Sequence, residues 1–475
     1  MLFAGCVCFQ LFVPPSVGLA DNGDFGRLID RFDLGPADKV DSDQYSYFTT
    51  QWIYDPTYHW TSDNFSSELI LICGALLIGW TSSTNQFDIR IMGSIHALLW
   101  IGCFIALLVA IRPLAPRIRW ATAITGLFIL TDASYVTMCN SFYMDTAAFL
   151  FLAWAVALWL SMATGRRPSL GLFWAFSIAS ALCLMSKSQH APLGVFLWIL
   201  AGLAALRFEG RKRKAAAFAI SLIIPLGAWT AYRLMPITDA RMPQYSVVFR
   251  KILESTRTPD EDLRDLGLGP EYARYIARDR DPLPDFASET KWWDDFLGRA
   301  TRGRVMLFHL RHPWRALAMM YRDLKTHAPD RRLRIVGKYE RASGMAPRAQ
   351  VESFSWWTDF RSALFRFAPW HILVWFAAVC WMSIRLLIRG SGSAEARVAG
   401  LCLALAAMAL AEFAVSSLSD SGETERHLFL FHVLTDFTIL LAVAWLSHRL
   451  SRNSAILPPG PTAQPEPSGA KLTAW

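Results

Sequence analysis

The sequence predicts an all-α polytopic membrane protein of about ten transmembrane helices with a mainly helical extracytoplasmic domain. Three observations predict it. Of 475 residues 53% are hydrophobic, including 20 Trp and 31 Phe, an apolar share above that of soluble domains. These residues fall in long uncharged runs. Lys and Arg, which bring the net charge to +8, gather in short blocks between the runs, as topology signals do, so no nucleic-acid partner is expected.

Runs that suit a span lie near residues 2–20, 91–111, 120–138, 146–163, 169–186, 192–206, 215–235, 369–388, 398–417 and 428–447. The first, "MLFAGCVCFQLFVPPSVGLA", ends in small residues as a signal peptide does, but it lacks a basic start and reads as a retained first helix. "ELILICGALLIGW" (68–80) is too short for a span and reads as an interfacial or re-entrant helix. With a cytoplasmic N-terminus, this arrangement puts Arg112, Arg117 and Arg119, Arg166 and Arg167, the 207–214 cluster, Arg385, Arg389 and Arg397, and Arg449 and Arg452 on the cytoplasmic side. The opposite short loops keep only Lys187 and Arg426, and counting 68–80 as a span would invert every later block. Arg90 alone stands against the pattern.

Four regions follow: an N-terminal transmembrane module (1–235) with its first outer loop at 21–90, an extracytoplasmic loop domain (236–368), C-terminal helices (369–450) and a Pro-rich, disordered cytoplasmic tail (451–475). The long loop reads as folded. Thr258-Pro259 opens a helix, "HPWRALAMMYRDLKTHA" sets Trp314, Leu317, Tyr321 and Leu324 on one stripe, and Trp292, Trp293, Trp356 and Trp357 suit a surface lying on lipid headgroups. The eight cysteines lie mostly in apolar segments and none falls in the long loop, so neither a disulfide framework nor a cysteine zinc site is implied.

The outer stretches carry the chemistry. In "LADNGDFGRLIDRFDL", Asp24 reads either as the N-cap of a helix, with Gly23 supplying the turn, or as a general base. Asp21, three residues earlier, adds a carboxylate for a metal or an acceptor sugar. In "NSFYMDTAAFLFL", Asp145 suits the positive end of a helix dipole, and Asn140, Tyr143 and Asp145 together suit a bound sugar. Asp132 lies inside a span, where an ionisable group calls for a partner or a function. Lys187, Gln189 and His190 close the fifth span, with Gln189 a further candidate sugar contact, and Arg426 and His427 open the last. Lys187, His190, Arg426 and His427 would form a cationic pocket for a phosphate, while pairing of Arg426 with Glu423 or Glu425 is the plainer reading. No HExxH, paired CxxC, EF-hand, Walker A or Rossmann glycine pattern is present.

The chain resembles the GT-C superfamily of polytopic glycosyltransferases, which take sugar from a polyprenyl-phosphate carrier outside the cytoplasm. The likeness rests on "DNGD" after the first helix, "NSFYMD" between helices three and four, the large outer loop in the C-terminal half, and "SKSQH" and "ERHLFLF", as in bacterial members that build surface glycans. The resemblance implies a GT-C-like fold in the bacterial inner membrane with its site facing the periplasm. It makes Asp24 the catalytic base and Asp21 the lesser candidate, with a polyprenyl-phosphate sugar as donor and a glycan, lipid or protein as acceptor. No cofactor is certain on this reading; a divalent cation, Mg or Mn, would be held by Asp24 and Asp145. In such a reaction a carboxylate takes the proton of a weakly acidic hydroxyl, and cations at Lys187, Arg426 and His427 stabilise the departing lipid phosphate. Two other readings stay open: an O-antigen-ligase-like transferase that uses outer-loop Arg and His on a lipid pyrophosphate without an essential aspartate, and a lipid or sugar transporter.

Overall fold

The computed structural model describes residues 1–37, 44–55, 64–81, 85–165, 168–278, 290–390, 392–419 and 422–454. The expected disordered tail and the block Arg166 and Arg167 lie outside these residues, apart from the tail's first few, which continue the last helix. The chain is an all-α, multi-pass membrane protein. Among the described residues seven helices are long and apolar enough to cross a membrane: Ile89–Ala110, Met144–Thr164, Ser188–Ala205, Arg211–Arg233, His371–Arg389, Ala394–Ser419 and Thr424–Leu450.

Three of the ten expected spans depart from a straight crossing. The run at 2–20 is helical only over Leu2–Phe12, because Pro14 and Pro15 follow and lack the N–H that a continuing helix needs. The run at 120–138 is two helices, Pro116–Leu130 and Ala133–Cys139, bent by 64°. Asp132 makes the break: its carboxylate caps the second piece at Ser134 N (2.9 Å) and accepts from Thr358 N (2.9 Å) and Oγ1 (2.6 Å) in the long loop. The helix Leu170–Ser186 is apolar but short, as is Glu68–Trp80.

The basic clusters sit at one end of these helices. There Arg207 donates to Met162 O (2.6 Å) and Arg397 to Ala163 O (2.8 Å), both at the C-terminal end of Met144–Thr164. Asp145, Lys187 and Arg426 sit at the other end. The first loop adds a small antiparallel sheet that the sequence pattern did not suggest, β1 (Leu34–Pro36), β2 (Gln51–Tyr54) and β3 (Gln86–Asp88), with Gly35 opposite Ile53 and Trp52 opposite Phe87. Asp88 ends it, caps the helix Ile89–Ala110 at Arg90 N (2.9 Å) and pairs with the Arg90 side chain at 3.0 Å, which accounts for the cation that broke the charge pattern.

The long loop folds around its own core of Tyr245, Phe249, Leu263, Tyr272, Trp293 and Phe296. A helix begins at Pro259 after Thr258, as expected. The other expected helix is present as Pro313–Thr326, but of its stripe only Leu324 is buried, while Trp314 is 82% exposed and Leu317 and Tyr321 are about half exposed. Of Trp292, Trp293, Trp356 and Trp357 only Trp356 lies open, since Trp293 and Trp357 are buried in packed cores. The first loop and the long loop are stitched by backbone bonds: Gly18 N to Lys338 O (3.1 Å), Ala20 N to Gly337 O (3.0 Å), Gly337 N to Tyr45 O (2.8 Å) and Phe48 N to Tyr339 O (2.9 Å). Gly337 is needed there, because a side chain would collide with the Ser46 carbonyl.

Candidate functional site

The stretch from Ala20 to Arg27 is built as a tight turn. Asp21 Oδ1 accepts from Gly23 N (2.7 Å) and Phe25 N (3.1 Å), and Gly23 takes a φ of +93° that other residues rarely adopt. The turn is anchored by the buried Phe25 ring, edge-on to Tyr143 at 4.8 Å and to Phe142 at 5.4 Å. The capping reading is thereby reassigned. Asp21 holds the turn, the short helix Gly26–Ile29 has no side-chain cap, and Asp24 is left to point at cations.

Those cations come from distant segments. Arg426 Nη1 pairs with Asp24 Oδ2 and lies 3.9 Å from Asp145 Oδ2, while its Nε donates to Glu423 Oε2 at 2.9 Å. Its guanidinium lies 5.5 Å above the Tyr143 ring. Arg27 Nε meets the other Asp24 oxygen at 3.1 Å. Lys187 Nζ is 3.5 Å from Asp145 Oδ1 and 3.1 Å from His427 Nδ1, which is also 2.8 Å from Gln189 Oε1. Asp24, Arg27, Lys187, Gln189, Arg426 and His427 all line one cavity of about 1310 Å3, and its far wall is apolar, with Tyr232, Met235, Met306, Leu310 and Leu418 among the lining side chains.

The two acids of the turn diverge in charge state. Burial pushes the Asp21 carboxyl up to about 6, despite its bonds to Phe25 N and Gly23 N. Burial acts on Asp24 in the same sense, but Arg426, Arg27 and Lys187 outweigh it and hold that carboxyl well below the usual range. Asp24 in this state is a charged partner of Arg426 and a weak proton acceptor.

Other expected residues sit behind the cavity wall. Asn140 does not meet a sugar: it is fully buried and donates to Leu11 O (3.2 Å) and Val17 O (2.8 Å), fixing the chain after the first helix. The Tyr143 hydroxyl is likewise engaged, donating to Ala20 O (2.9 Å) and accepting from Asn22 N (3.1 Å). Asp145 is buried between Lys187 and Arg426. His190 is buried too, with Nδ1 3.0 Å from Glu412 Oε1 and Nε2 3.9 Å from Asp145 Oδ1, so it reaches the centre only through Asp145. Of the proposed sugar contacts only Gln189 lines the cavity.

Glu412 is a residue that sequence reading missed. It lies inside the helix Ala394–Ser419, is fully buried, and accepts from Gln189 Nε2 as well as facing His190. Glu423, weighed only as a surface partner, holds both Arg426 and Asn22. A metal between Asp24 and Asp145 does not fit: the Arg426 guanidinium stands between the two carboxylates, and no cluster of three metal-ligating side chains occurs among the described residues. The arrangement can hold an anion against Lys187, Arg426 and His427 and set a carboxylate beside it.

No curated protein and no solved structure matches the chain. A family model matches it over residues 1–458, and the chain belongs to that family, described as the YfdI N-terminal transmembrane domain.

Proposed function

We propose that this membrane protein is a GT-C-type glycosyltransferase that moves a sugar from a polyprenyl-phosphate donor to an extracytoplasmic glycan, lipid or protein acceptor. The observation that carries the reading is the juxtaposition of Asp24 with Lys187, Arg426 and His427 on the wall of a single cavity whose remaining lining is largely apolar. A phosphate on an apolar tail matches that division of the wall. The positive-inside rule puts the basic helix ends in the cytoplasm and the cavity on the periplasmic face of a bacterial inner membrane. No nucleotide sugar is available there, so a lipid carrier supplies the sugar.

The acceptor hydroxyl attacks the anomeric carbon while Asp24 takes its proton. The bond from that carbon to the phosphate oxygen breaks, its electron pair leaves with the polyprenyl phosphate, and Lys187, Arg426 and His427 stabilise the charge. A single displacement inverts the anomeric centre. The ion pair that quiets Asp24 favours one competing reading, a ligase-like transferase that needs no aspartate base. The test is transfer by the purified protein across a panel of polyprenyl-phosphate and polyprenyl-pyrophosphate sugars. Transfer from one of them, abolished by Asp24→Asn, supports the proposal; full activity of Asp24→Asn supports the ligase-like reading, and no transfer from any donor removes both.

A further inference from the structure

Arg426 does two separable jobs. Its Nε is held by Glu423 at 2.9 Å, on the preceding turn of the same segment, while Nη1 alone is shared between Asp24 and Asp145. Glu423 is itself held by Asn22 Nδ2, so the Nε contact forms a pivot about which the fork can turn. The centre is also balanced in charge: Asp24, Asp145 and Glu423 face Arg426, Lys187 and Arg27. A phosphate that takes Nη1 must therefore displace a carboxylate from it. Of the two on Nη1, Asp145 is 3% exposed and enclosed by Lys187 and His190, whereas Asp24, although also met by Arg27 at 3.1 Å, is 13% exposed and borders the cavity from which a phosphate arrives. Asp24 is the carboxylate that can yield.

We infer that Arg426 is a donor-operated switch on the base: the donor phosphate takes Nη1 from Asp24, Glu423 keeps hold of Nε, and only then does Asp24 accept the acceptor's proton. The inference rests on the glycosyl-transfer reading and deepens it. Charge-assisted bonds to phosphate are strong enough to compete with those to a carboxylate, and a guanidinium fork suits both. Without donor, Asp24 stays a paired anion and activates neither acceptor nor water. With donor bound, it is a desolvated carboxylate that has lost its principal counterion. Binding order follows: donor first, acceptor second. Glu423 is a positioning residue in this scheme, since it touches Arg426 and not the reacting atoms.

The experiment uses the full chain in lipid nanodiscs. Carbodiimide with an amine nucleophile labels the protonated carboxyl, and peptide mass spectrometry reads Asp24 at one mildly acidic pH, with and without a polyprenyl monophosphate whose binding is followed by thermal shift. Release from a guanidinium raises a carboxyl by one unit or more, so Asp24 labelling rises roughly tenfold or more when the lipid phosphate binds. Asp145 does not follow. In Arg426→Gln the labelling is high throughout and indifferent to the lipid; Arg426→Lys, which keeps a charge, serves if that variant does not fold. Glu423→Gln raises the KM for donor while kcat is largely retained. Lipid binding and sugar transfer with unchanged Asp24 labelling overturn the switch and leave the transferase reading intact. Failure of both binding and transfer removes the two together.

Discussion

Arg426 lies over the ring of Tyr143 and reaches Asp24 on the wall of a cavity of about 1310 Å3, whereas Arg331 lies over the ring of Tyr135 and reaches Asp436 beside a void of about 10 Å3. The residue types are the same. In the second centre Asp436 accepts from Arg331 at 2.7 Å and Trp357 Nε1 at 2.8 Å, is bonded by the Tyr135 hydroxyl, and lies 3.5 Å from Arg361. It ties Arg331, Trp357 and Arg361 of the long loop to the last helix, in a space with room for about one water. An ion network sealed on all sides fastens elements together. The same network opened onto a cavity has partners to exchange.

Substitutions at the two centres give the comparison its numbers. Asp24→Asn has the largest expected effect: turnover falls roughly 10²- to 10⁴-fold while yield and thermal stability hold, because Asn cannot take the proton and Asp21, not Asp24, carries the turn. Near-normal turnover at normal yield would sink the base assignment. Asp436→Asn acts on the fold instead: it leaves two buried guanidiniums without their carboxylate and costs about 3–5 kcal/mol, read as lost yield and a lowered midpoint in detergent. Equal stability of the two variants would erase the distinction between the centres.

Lys187→Ala comes next. It removes a charge-assisted contact and weakens donor use by about 1.5–3 kcal/mol with acceptor use unchanged, measured as the donor kcat/KM. The smallest effect on activity is at Asp21, where the change is in stability and depends on pH. Its carboxyl is raised from 3.8 to about 6 when folded, so the folded form binds the proton more tightly than the unfolded one. The stability this contributes is complete below about pH 4 and is lost as pH rises through 6. Asp21→Asn, which still caps, is therefore neutral at low pH and more stable than wild type by about 3 kcal/mol at pH 7. A melting curve showing no pH dependence in the difference would show that Asp21 ionises normally.

The spans were legible because hydrocarbon thickness imposes a length that composition reveals, and the basic helix ends were legible for the same reason. Breaks within spans were harder. "FVPPSV" announced the end of the first helix at Phe12 and was read through, since an apolar window averages over two prolines. The three short strands left no signal, as three or four residues cannot show an alternation. Lys187 and Arg426 stand out in the sequence as the lone Lys or Arg of their short loops, and Asp24 by its neighbours. Asn140 and Tyr143 were placed a layer too far out, because a sequence shows where a polar residue enters a helix but not which way it faces. Glu412 and Asp436 carried the same signal as Asp132, an ionisable group within a span, and applying that rule evenly would have found them.

The stitching of residues 17–20 to 337–339 has a consequence for how the protein is made. The turn bearing Asp21 and Asp24 leaves the ribosome well before its partners, since Asn22 meets Glu423 across a separation of 401 residues. At about 5–20 residues per second the wait is roughly 20–80 seconds. Through that interval the turn lacks its arginine, and until residues 337–339 emerge it lacks its backbone partners as well. Assembly of the last helix is thus the event that completes the centre.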